Sequence, residues 1–163
     1  MRLKSFFGDD EYELLYRFKM LLDTSFHSNS HLLCAHNGKE FDFPYVARRM
    51  IINKIPLPEI LNLFGKKPWE IRHLDTMEMW KFGDYKHYTS LQLLTKILEI
   101  PSPKDDIDGD QVSNIYYKEK NLERIVKYCE KDTIAVAQVF LRFLNKELLK
   151  DTNILSRTFD KGN

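Results

Sequence analysis

The sequence predicts an α/β protein. Three short apolar runs with strand character, near residues 3–7, 31–35 and 71–77, alternate with stretches whose apolar positions recur at helical spacing. Cap and turn residues mark the junctions between them. At 163 residues, 43% apolar and 13% aromatic, the chain is long enough for one domain burying roughly two-thirds of its unfolded surface. That domain is expected over residues 1–150, with a polar tail over 151–163.

Taken in order, residues 3–7 read as a short strand feeding a helix. Gly8-Asp9-Asp10-Glu11 precedes Tyr12, Leu14, Leu15, Phe18, Leu21 and Leu22, so its acids cap that helix and complement its dipole. The run His31-Leu-Leu-Cys-Ala35 reads as a buried strand ending at Asn37-Gly38, a dipeptide suited to positive φ. Asp42 follows. Pro44 opens a helix along Phe43, Val46, Ala47, Met50 and Ile51. Residues 71–77 form a strand ending near Asp75, an acid that either ends the strand as a cap or supports a nearby site. Thr89-Ser90 caps a helix through Leu91, Leu94, Ile97 and Leu98 that Pro101 closes. Residues 104–110 resemble a calcium loop in composition but place Gln111 and Tyr117 where a glycine and a glutamate are required. They read as an acidic turn before a helix over 112–117.

The last helix, expected over residues 121–150, carries the strongest functional signal. Its apolar stripe runs Leu122, Ile125, Cys129, Asp132, Val136, Val139, Phe143, so a carboxylate stands in the middle of the face that should be buried. A lone buried carboxylate is costly and should be neutral, paired or bound to a cation. Tyr128 lies one turn earlier on the same face. Asp42 sits where a strand gives way to a helix, a usual place for a ligand or metal in sheet-and-helix domains. Singly, Asp42 reads as an N-cap and Asp132 as an acid tilted toward Lys127, Lys131 or solvent. Together they predict a cation held near both, on a shared pocket.

The stretch Asn37-Gly-Lys-Glu-Phe41-Asp42 resembles the second motif of the DEDD 3′ to 5′ exonucleases, an Asn, a short gap, then Phe-Asp. Tyr128-Cys-Glu-Lys-Asp132 resembles their third motif in its tyrosine-bearing form, found in the proofreading domain of family-B DNA polymerases and in related stand-alone predicted exonucleases. His73-Leu-Asp-Thr76, Thr89-Ser-Leu91 and the loop over 104–112 are similar to that stand-alone family too, so the resemblance spans nearly the whole chain. It implies a ribonuclease H-like mixed sheet flanked by helices. It also implies a metal-dependent exonuclease releasing mononucleotides from single-stranded or frayed 3′ ends, DNA in preference to RNA. The cofactor would be Mg²⁺ or Mn²⁺ in a two-ion site, the ions clamping attacking and leaving oxygens. Asp42 and Asp132 would be metal ligands and Tyr128 would orient the attacking water. Asn37 and Phe41 would line the path of the terminal nucleotide, although a turn residue and a core residue explain them equally.

The family's first motif, a D-x-E on the opening strand, lacks a counterpart in the right context. Asp9-Asp10-Glu11 matches its letters but reads as a helix cap. The chain is therefore expected to begin mid-fold, to lack the opening strands, and to hold two of four acids. Its metal site would be incomplete and its cutting slow or absent. The alternative is a non-catalytic nucleic-acid-binding or assembly module on the same fold. An open sheet edge would invite a second copy or a partner strand.

Charge is balanced, with 25 basic and 24 acidic residues, so no global field draws in nucleic acid. Local candidates are Arg48-Arg49, Lys66-Lys67, and Lys81, Lys86 and His87 with Trp80, Tyr85 and Tyr88 interleaved. Each also reads as a solvated face over core aromatics. Cys34 and Cys129 read as reduced core thiols. Two cysteines, no signal-like N-terminus and no run of membrane-span length lead to the expectation of a cytoplasmic protein with no membrane partner.

Overall fold

The computed structural model describes residues 1–84, 86–101, 107 and 109–156. The chain forms two compact units, residues 8–88 and residues 1–7 with 89–163. It is α/β, helix-rich with small parallel sheets.

In the unit of residues 8–88, α1 (Glu11–Ser25) begins at an N-cap, Asp10, whose carboxylate accepts from the Glu13 N–H at 3.0 Å. Leu15 and Leu22, seven residues apart, bury the same face. They meet Phe43 and Met50 of α2 (Asp42–Ile52), with Ile55, Ile60 and Leu61 completing the core. Each such side chain contributes about 1.5–3 kcal/mol on burial. The two helices are tied at their solvent side, where Arg49 grips Glu11 through both Nε, at 2.6 Å, and Nη2, and Asn53 donates to the same carboxylate at 3.0 Å. These bonds, Arg49 first and Asn53 second, hold the Glu11 carboxyl down to about 2.

The sheet of this unit is a parallel pair, β2 (Cys34–Ala35) with β3 (Leu74–Asp75), Cys34 opposite Leu74 and Ala35 opposite Asp75. The strand expected over 71–77 is shorter because Asp75 accepts from the Met77 and Glu78 N–H groups, starting α3 (Thr76–Lys81) at the next residue. His73 is buried beside it. Its Nε2 meets the Ile60 carbonyl at 2.8 Å and its Nδ1 accepts from the Leu33 N–H at 3.3 Å, a neutral tautomer consistent with a pKa pushed down by burial.

In the other unit, β1 (Arg2–Leu3) pairs in parallel with β4 (Leu155–Ser156). Of the tail, the described residues form a 3-10 turn, Asp151–Asn153, and then a strand. Helix α4 (Leu91–Ile97) starts at the expected cap, Ser90. The acidic turn over 104–110 falls largely outside the described residues, as do Tyr85 and residues 157–163; its described end is a 3-10 turn, Gly109–Gln111. The helix expected over 112–117 is α5 (Val112–Asn114) running into a π-helical turn, Ile115–Glu119. Finally α6 (Leu122–Phe143) is capped by Asn121, which accepts from the Arg124 N–H at 3.1 Å.

Three expectations are corrected here. The last helix ends at Phe143, not residue 150, because Asn145 turns to φ 52; the chain beyond is held by Gln138, which donates to the Leu149 carbonyl at 2.9 Å and accepts from its N–H at 2.8 Å. Among the described residues the strands form two parallel pairs, not one mixed sheet. Cys34 and Cys129 keep exposed surface and are not enclosed core residues, though packing on the protein side, then the charge of Asp75, still pushes the Cys34 thiol up to about 11. No described helix is long and apolar enough to cross a membrane.

Candidate active site

Asp75 builds the turn that leads to α2. It is 2% exposed, and its carboxylate accepts from the Asn37 N–H at 2.9 Å and the Lys39 N–H at 3.1 Å as well as from the two N–H groups of α3. Held this way, Asn37 adopts φ 61, which Asn tolerates better than most residues. Gly38 does not share that conformation; its role is space, since a Cβ there would stand 2.3 Å from that of Ala35. His36 Nδ1 and Thr76 Oγ1 lie 2.9 Å apart behind the turn.

The turn delivers three of the candidate residues. Asn37 Oδ1 is buried and has no hydrogen-bond partner among the described residues. Phe41 is 60% exposed, so it is not the core residue it could have been; it stacks on Tyr45 with ring centroids 5.8 Å apart and planes within 11°. Asp42 is the first residue of α2, and the cap position belongs to Phe41, which offers no side-chain bond. The N-cap reading of Asp42 is therefore excluded. Although Asp42 retains exposed surface, protein packed on its inner side, and next the charge of Asp75, push its carboxyl above the usual range; its own N–H and His36 oppose this. A cation would relieve both penalties.

Tyr128 and Asp132 stand four residues apart on α6, both half-buried. Asp132 is thus less enclosed than its stripe position suggested, and the fully buried residues of α6 are Val126, Gln138 and Val139. Its charge, after burial, raises the Cys129 thiol. The Tyr128 hydroxyl lies 3.8 Å from where a Cβ on Gly109 would sit, an ordinary van der Waals contact. Between them Glu130 accepts from Ser5 at 2.8 Å and Ser156 at 3.4 Å.

The structure thus gathers Asn37, Phe41 and Asp42 at the head of α2 in one unit, and Tyr128 with Asp132 on α6 in the other. Residues 4–156 match the family described as a predicted 3′-5′ exonuclease related to the exonuclease domain of PolB. The chain belongs to this family. No solved structure matches the chain. Both motifs of the exonuclease-family protein fall inside the matched residues. Glu11, one letter of its D-x-E near the start, spends its carboxylate on Arg49 and Asn53, and Asp10 is a helix cap.

Among the described residues no three His, Cys, Asp or Glu side chains gather as a metal cluster. The donors present at the head of α2, the Asp42 carboxylate and the unpartnered Asn37 amide oxygen, are all oxygen and fit a hard divalent ion. Sequence reasoning underrated Asp75 and His73. Both lie in the stretch His73-Leu-Asp-Thr76, which was legible as a motif, but only coordinates reveal a buried acid bonded to four N–H groups.

Proposed function

We propose that the protein is a divalent-metal-dependent 3′ to 5′ exonuclease acting on single-stranded or frayed 3′ ends. The observation that carries this reading is the family match over residues 4–156, which takes in both motifs. Bound Mg²⁺ or Mn²⁺ would neutralise charge on the phosphodiester being cut. Asp42 and Asp132 each supply a carboxylate for metal, and the raised pKa of Asp42 supports a group that gains from a cation. Tyr128 orients the attacking water through its hydroxyl, which does not need to ionise for that role. Asn37 offers its amide oxygen to the terminal nucleotide or a metal-held water, and Phe41 offers an exposed ring against the terminal base. A ribonuclease H-like arrangement of the fold belongs to the same proposal.

A second reading, a nucleic-acid-binding or assembly module without catalysis, is favoured by one observation, the engagement of Glu11 by Arg49. One experiment separates the two. The full chain is incubated with a 5′-labelled single strand and magnesium, beside Asp132→Asn and Asp42→Asn variants. Stepwise shortening by the parent, lost in both variants, supports the exonuclease; shortening that survives both substitutions, or none in the parent, refutes it.

A further inference from the structure

Beside the head of α2 lies a groove of about 300 Å³ formed wholly within residues 39–71. Its floor is aliphatic, with Ala47, Ile51, Leu57 and Leu61 among its residues, while Lys39, Arg48 and Lys66 rim it and no Asp or Glu lines it among the described residues. Lys39 is already committed, its Nζ 2.8 Å from Glu78. Arg48 and Lys66 make no ion pair among the described residues, and Phe64 at the groove is 72% exposed. Two uncommitted cations, an exposed ring and no competing acid suit a polyanion that carries flat bases.

We infer that this groove holds the strand upstream of the 3′ end, with phosphates on Arg48 and Lys66 and a base on Phe64; the inference rests on the nucleic-acid reading above. Arg48 and Lys66 both line this one groove, so a single strand lying in it passes both cations. The exposed Phe64 ring favours nucleic acid over an acidic peptide, which carries no flat bases to stack on it.

The test uses the full chain in EDTA, so that nothing is cut, and fluorescence anisotropy of a fluorescein-labelled twelve-residue oligothymidylate between 50 and 200 mM salt. Each lost phosphate contact lowers the slope of log Kd on log salt by about 0.7 for single strands. Arg48→Ala with Lys66→Ala should therefore lower it by about 1.4, making affinity roughly sevenfold less salt-sensitive over that range. Phe64→Ala should weaken binding about fivefold or more. All three side chains are exposed, and unchanged melting curves verify that the variants fold. A parent that does not bind, or variants with the parental Kd and slope, overturns the inference, as does binding that a polyglutamate peptide displaces at lower concentration than unlabelled oligothymidylate. Magnesium-dependent trimming is scored separately. Groove-dependent binding without trimming sinks the exonuclease reading alone, and trimming by a triple variant with parental affinity sinks the groove alone.

Discussion

Replacing Asp75 with asparagine probes the device that shapes the head of α2. Asp75 Oδ1 accepts from the N–H groups of Asn37, Met77 and Glu78, and Oδ2 accepts from that of Lys39 at 3.1 Å. Asparagine keeps the first oxygen but sets an amide NH₂ against the Lys39 N–H, donor facing donor in a site 2% exposed. One charge-assisted bond is lost and its donor is left buried, about 1.5–3 kcal/mol, and the remaining bonds weaken, so a total of about 2–4 kcal/mol is expected. For a chain of this size that corresponds to a fall in melting temperature of roughly 5–12 °C. Circular-dichroism melts and urea titration measure it. Because Asp75 also helps raise the Asp42 carboxyl, the variant's Asp42 should titrate lower, which carboxyl-carbon NMR reads. A variant melting within about 1 °C of the parent, with Asp42 titrating unchanged, would refute the account of Asp75 as the organiser of this turn.

Gly38→Ala sets two carbons 2.3 Å apart and should destabilise by about 2 kcal/mol or more from crowding alone; a urea midpoint equal to the parent's would contradict the close approach. Gln138→Ala leaves the N–H and C=O of Leu149 without partners, at about 1–3 kcal/mol, and hydrogen exchange at Leu149 should accelerate. Glu11 has a folded pKa depressed to about 2 from 4.5, so its contribution to stability is present above about pH 4.5 and lost as pH falls toward 2. The parent's melting temperature should accordingly fall more steeply across that window than that of Glu11→Gln; parallel curves would dismiss the Arg49 contact as a stabilising one.

Local signals were legible where the chemistry is local. Asp10, Ser90 and Asn121 act as caps, the first two at positions marked by an acid or hydroxyl before an apolar periodic run. What escaped the sequence depended on partners distant along the chain. The strand over 71–77 ends at Asp75 as expected but is only Leu74–Asp75 long, because it pairs with the two-residue β2, a mate distant along the chain. The last helix was drawn too long because apolar positions continue past Phe143 while Asn145 breaks the backbone. The N-cap reading of Asp42 failed since the preceding Phe41 takes that position. For the site, Asp132 was singled out as an acid within an apolar stripe and Asp42 by its place where a strand gives way to a helix, whereas the Asn37 oxygen, unpartnered among the described residues, required side-chain coordinates.

The parallel pairing of β1 with β4 sets residues 2–3 against residues 155–156. During synthesis β1 is made before its mate, which follows only after some 150 further residues. Residues 8–88 can meanwhile settle around contacts that are already complete. A delay between early protection of residues 8–88 and late protection of the β1–β4 pair is the kinetic signature this connectivity imposes.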